Sequence, residues 1–138
     1  MTAAHNTEVA RRYVLEAAQL GDYDALRSFT HDNLVQREAV GDGLVDATEH
    51  RTWPHGKEGL VEHVRGFRTA IPDAQVAIRR IIADDEGVVV VWTASGTHQG
   101  TFLGREPSGE RISGTTSSHF RIEEGKIIEY TWFGSWQF

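Results

Sequence analysis

The hydrophobic period of the chain changes near its middle. Val9, Tyr13, Val14 and Ala17 fall on one helical stripe that Gly21 ends, with Asn6 or Thr7 as the expected cap. Asp22 offers a second cap, for a short helix over Tyr23–Phe29 with Ala25, Leu26 and Phe29 apolar. Asn33–Val40 reads as a short strand and Asp42–Pro54 as a loop. Leu60, Val61, Val64 and Phe67 then line a third helix over Lys57–Ala70, which Ile71-Pro72-Asp73 ends.

Beyond that point the pattern alternates. Ala74–Ala83 is a strand, Asp84–Gly87 a turn, and Val88–Phe102 a long strand in which Gly96 and Gly100 predict a bulge or bend. Glu106-Pro107-Ser108-Gly109 is a turn, and Ile112–Ile122 and Lys126–Trp136 flank Glu123-Glu124-Gly125 as a hairpin. A two-residue turn pairs Ile122 with Ile127, Phe120 with Glu129, and His119 with Tyr130. His119, Tyr130 and Trp132 then share one face; Phe120, Ile122, Ile127 and Glu129 share the other, and either face could line a pocket. The predicted class is α+β, with three N-terminal helices packed on a strongly curved, mainly antiparallel sheet.

Composition narrows the functions. A length of 138 residues predicts a single domain, 1–138. Fourteen Lys+Arg against twenty Asp+Glu, a net charge of −6, argues against a nucleic-acid partner. With no cysteine there is no disulfide, thiol nucleophile or thiolate metal site. The first residues lack the apolar core of a signal peptide, and the run ending at Trp92 is too short to span a bilayer. A cytoplasmic protein without a membrane partner is the expectation. No metal motif, phosphate loop or serine-nucleophile elbow occurs, so no cofactor is expected.

Seven histidines and four tryptophans stand out. His98 shares strand parity with Trp92, Ala94 and Gly96, and an imidazole with pKa near ~6.5 can move a proton at neutral pH; the alternative is a histidine that fixes the bulge. His119 opposite Tyr130 and beside Trp132 would be an acid/base pair on an aromatic wall, or else an interface histidine. Glu129, if buried, would be a general acid or base. Arg37 could hold an anionic oxygen or pair with Glu38 or Asp46. In the loop Trp53-Pro54-His55, Trp53 could stack on a ligand and His55 would sit at the rim. His5, His31, His50 and His63 read as surface residues.

The order of these motifs resembles the SnoaL-like polyketide cyclases and ester cyclases of the nuclear transport factor two-like fold. The resemblance runs through His55-Gly56-Lys57-Glu58-Gly59, Ile71-Pro72-Asp73 and Gly96-Thr97-His98-Gln99-Gly100-Thr101-Phe102-Leu103-Gly104. It continues through Glu106-Pro107-Ser108-Gly109 and Phe120-Arg121, and ends at Gly125-Lys126-Ile127-Ile128-Glu129. It implies a cone-shaped pocket, often in a homodimer, and cofactor-free ring closure on polycyclic or polyketide-type small molecules. Within it, His98, His119 and Glu129 are the catalytic candidates; Arg37, Trp53, His55, Trp92, Tyr130 and Trp132 are the substrate-binding ones. Hydroxylation, epoxide opening and ligand binding without catalysis are the alternatives. Two departures count against plain transfer of aldol cyclisation. The stretch after Glu129 holds no acid where such cyclases carry a catalytic aspartate, and Gln36-Arg37 replaces an Asp-His pair.

Overall fold

The computed structural model describes residues 2–47 and 53–138. The first helix, α1, starts at Ala3 rather than near Asn6, because the Thr2 hydroxyl accepts from the His5 amide at 3.1 Å. It runs over Ala3–Arg12 and continues as π-helical turns over Tyr13–Ala18. Asn6 is instead buried inside it, donating to the Asp84 carbonyl at 2.9 Å. Asp22 caps α2 (Tyr23–Ser28) by accepting from the Ala25 amide at 3.0 Å, as the sequence predicts. The third helix, α3, covers Lys57–Ala70 and buries Leu60, Val61, Val64 and Phe67.

Six strands form one mixed sheet: β1 (Thr30–Val40), β2 (Gly43–Asp46), β3 (Gln75–Ala83), β4 (Gly87–Thr97), β5 (Arg111–Glu123) and β6 (Lys126–Gln137). Their order is β2-β1-β6-β5-β4-β3. Every pairing is antiparallel except that of β1 with β6. The predicted loop over Asp42–Pro54 therefore begins as a strand, hairpinned back on β1 through Val40 opposite Gly43. The long strand expected to reach Phe102 stops at Thr97. There Asp73 accepts from both the amide and the hydroxyl of Thr97 at 2.7 Å, and these bonds hold its carboxyl below the usual carboxylate range. The chain then leaves the sheet as a loop whose Gln99 and Gly100 amides both donate to Ala70.

The hairpin register corrects the predicted faces. Ile122 lies opposite Ile127, but the next pair is Arg121 with Glu129, so one extra residue enters β6. Phe120 then faces Tyr130, and His119 faces Thr131. A shift of one residue exchanges the two faces of a strand. Val88, Val90, Trp92, Ala94, Ile112, Ser118, Phe120 and Tyr130 accordingly form the buried inner face, against which α1 and α3 pack. His119, Glu129 and Phe133 lie on the outer face with Arg37.

Candidate functional site

A cavity of about 160 Å³ opens between α3, the inner face of β4–β6 and the loop after β4. Its floor is Tyr130, reached from three sides by polar groups. The Tyr13 hydroxyl, from the π-helical turns, donates to the Tyr130 hydroxyl at 3.2 Å. Nε2 of His63, on α3, lies 3.2 Å from the same oxygen. Ser118 also bonds the phenol, and accepts in turn from the Trp92 indole at 3.1 Å. Because Tyr13 donates to Tyr130, the proton of Tyr130 is free to point at Nε2 of His63.

Burial governs the titration of this floor. Tyr130 is pushed up to about 12 by desolvation, against the bonds from Tyr13 and Ser118, which lower it. Tyr13 is raised well above the usual phenol range by burial and by its neighbour Tyr130. Both phenols are therefore neutral across the physiological range and act as hydrogen-bonding groups.

Aromatic rings supply the walls. Trp53 meets His63 edge-on at 5.3 Å between centroids, and Trp132 tilts against the same imidazole at 5.8 Å. Phe67 and Phe102 face Trp92 and Trp136. Two glycines on the inner face make the space. A methyl at Gly114 would enter the Trp136 indole, and one at Gly134 would come within 2.9 Å of Trp132.

The predicted site residues divide. Trp53, Trp92, Tyr130 and Trp132 line the cavity. His119 lies on the opposite face of the sheet, its Nε2 2.9 Å from the Ser117 hydroxyl and its pKa lowered by burial. Arg37 and Glu129 pair with each other at 3.6 Å on that outer face. His98 has the inner-face parity read from the sequence, yet it is 1% exposed and packed beneath the loop end, with Nδ1 3.4 Å from the Ser108 hydroxyl and its ring against Phe138. It does not line the cavity. His55 is exposed and borders a separate groove with Asp32 and Asp46. His50 lies outside the described residues.

His63, grouped with the surface histidines from sequence, is the residue that reading missed. It stands three residues after Leu60 and four before Phe67, so it borders the apolar stripe of α3. Trp136, unassigned from sequence, is a wall. Among the described residues no three His, Asp or Glu side chains converge as a metal site, and no helix is long and apolar enough to cross a membrane.

Residues 8–134 match the family model described as SnoaL-like polyketide cyclase. No curated protein matches the chain. Among solved structures, a SnoaL-like polyketide cyclase candidate from Jannaschia sp. CCS1 superposes with a TM-score of 0.77 at 21% identity, covering 97% of this chain and 88% of that one. AclR, a candidate hydroxylase from Streptomyces galilaeus, gives 0.74 at 22% identity over 97% and 77%. IdmH, a candidate polyketide cyclase from Streptomyces antibioticus, gives 0.72 at 22% over 94% and 91%. At these identities the likenesses establish the fold, and the site must argue the chemistry.

Proposed function

The chain belongs to the SnoaL-like polyketide cyclase family, and from that premise we propose that it is a cofactor-independent tailoring enzyme that closes a ring in a polyketide-type small molecule by proton transfer. The observation that carries this reading is the contact between His63 Nε2 and the Tyr130 hydroxyl at 3.2 Å on the floor of an otherwise aromatic cavity. Imidazole and phenol offer a proton acceptor and a proton donor side by side. As the Tyr130 hydroxyl turns from His63 Nε2 to the substrate oxygen, His63 takes a proton from carbon, and the carbanion attacks a carbonyl carbon of the same molecule whose C=O π pair moves to oxygen. That oxygen, hydrogen-bonded by Tyr130, then receives the proton held on His63, which returns the imidazole to its neutral form. His63 thereby fills the role expected of His98 or His119. Trp53, Trp92 and Trp132 bind the apolar body of the substrate and exclude water from the step.

A second reading, a module that binds such a ligand without converting it, is favoured by one feature. Among the described residues, no carboxylate lines the cavity. One experiment separates the two. Incubation with a panel of polycyclic ketones and epoxides, with products followed by mass spectrometry, should reveal a turned-over member. His63→Ala should then lose on the order of 10²–10⁴ of the rate, the range for a general acid or base. Turnover unchanged in His63→Ala removes His63 from the chemistry; tight binding without turnover establishes the second reading.

A further inference from the structure

Two glycines fix how Trp136 lies across the inner face of the sheet. The register sets Gly114 opposite Trp136 and Thr116 opposite Gly134. A methyl at Gly114 would fall on Cδ2, Cε2 and Cε3 of the Trp136 indole, so the fused ring lies over β5. A methyl at Gly134 would lie 3.4 Å from Nε1 of the same indole. The nitrogen edge therefore faces back along β6, the side on which Thr116, Trp132 and Tyr130 line the cavity. Phe67 and Phe102 hold the ring in place, with centroids 6.3 Å and 4.9 Å from its own.

That nitrogen is buried, and none of the described residues accepts its proton. An indole N–H can only donate. Nearly all buried donors in native proteins are paired, because an unpaired one gives up its bond to water without a replacement. The other atoms nearest the Gly134 methyl position are Cζ3 and Cε3 of Trp132, at 2.9 Å and 3.4 Å, so the wall brings carbon rather than oxygen towards this donor. Trp132 is half-buried and itself lines the cavity. A ligand oxygen that slips beside its ring edge reaches the donor from the cavity.

We propose that the Trp136 indole N–H is a specificity-determining donor, and that the natural ligand carries a carbonyl or ether oxygen seated against it over Gly134. Gly134 stands four residues after Tyr130, about 13 Å along an extended strand, so this oxygen is a second one, distinct from the oxygen that Tyr130 meets. The proposal rests on the reading of the cavity as the ligand site, but not on the catalytic role of His63.

The test compares cyclohexanone with methylenecyclohexane, which has the same ring with a CH₂ group in place of the carbonyl oxygen. The indole nitrogens of the full chain are isotope-labelled for NMR, and the Trp136 signal is identified by its loss in Trp136→Phe. Cyclohexanone should move the Trp136 indole proton downfield, as a donor does when it gains an acceptor; methylenecyclohexane should not. Trp136→Phe, which keeps an aromatic wall, should weaken cyclohexanone about fivefold more than methylenecyclohexane, the worth of one hydrogen bond. Exchange of Trp136 for 3-benzothienylalanine, an isostere with sulfur in place of N–H, should reproduce that loss without a change of volume. No binding of cyclohexanone, a Trp136 proton unmoved at saturation, the same downfield shift with both probes, or equal weakening of both probes overturns the donor. Failure here with His63→Ala still inactive would leave the proposed proton chemistry standing; the reverse pattern would leave the donor without that chemistry.

Discussion

Tyr130 shows how one side chain acquires its character from its neighbours. In water it is an ordinary phenol; here Tyr13, Ser118 and His63 surround its oxygen, and burial keeps it protonated. The sequence marks Tyr130, Trp53, Trp92 and Trp132 as wall residues because aromatic side chains near pocket motifs are visible in one dimension. His63 was hidden for a physical reason. A polar residue bordering an apolar helical stripe reads as solvent-facing, and the pattern does not tell that a cavity rather than bulk water lies beside it. His119 makes the converse point. Its pKa is lowered by burial on the outer face, where Ser117, Thr131 and Phe133 adjoin it. The folded state thus favours neutral imidazole, while the unfolded chain takes up its proton near pH ~6.5. The stability this residue lends is complete above that value and is lost as pH falls through it towards the lower folded value. His119→Gln should flatten the fall in urea midpoint between about pH 7 and about pH 5. An equal fall in the variant and the parent would show that His119 titrates alike in both states.

The hairpin of β5 and β6 carries the largest single lesson among the elements. Its turn and first pair, Ile122 with Ile127, are legible from Glu124-Gly125. The register beyond it is not, because the extra residue before Glu129 follows from how the whole sheet packs and leaves no turn signature. Glycines on these elements give a sharper test. Gly114 exists to admit the Trp136 indole across the strand pair, whereas a Cβ on Gly66, inside α3, would meet nothing within 4 Å. The same substitution should therefore have opposite signs. Gly114→Ala forces the indole aside and should cost about 1–3 kcal/mol, with a change in tryptophan emission. Gly66→Ala should add up to about 1 kcal/mol by removing a flexible residue from a helix interior. Denaturant unfolding of both variants decides this, and two changes of the same sign would refute the assigned space.

The whole molecule is needed to assemble the floor. Helices before strands, with antiparallel hairpins, were readable from the change of period, but the parallel insertion of β1 beside β6 was not, since no local signal specifies a partner so distant in sequence. That long-range closure accompanies the meeting of the first helical segment with the last strand, where Tyr13 and Tyr130, 117 positions apart, share a hydrogen bond of 3.2 Å. Their ionisation is consequently tied to global folding. In the unfolded chain phenols ionise near pH ~10, whereas in the folded chain Tyr130 holds its proton to about 12 and Tyr13 shifts in the same direction. The contribution to stability is complete below about pH 10 and is lost as pH rises through that value towards the folded one. For Tyr130 alone the loss is on the order of 3 kcal/mol, from about two pKa units. The ultraviolet absorbance of the two buried phenolates should therefore appear together with the loss of near-ultraviolet circular dichroism, in one cooperative alkaline transition. Tyr130→Phe, which removes one of the linked protons, should make stability fall less steeply with pH across that window. Phenolate absorbance from both buried tyrosines rising while the tertiary signal stays intact would show that neither hydroxyl is sealed by the fold, and would detach the cavity floor from the packing that is argued to create it.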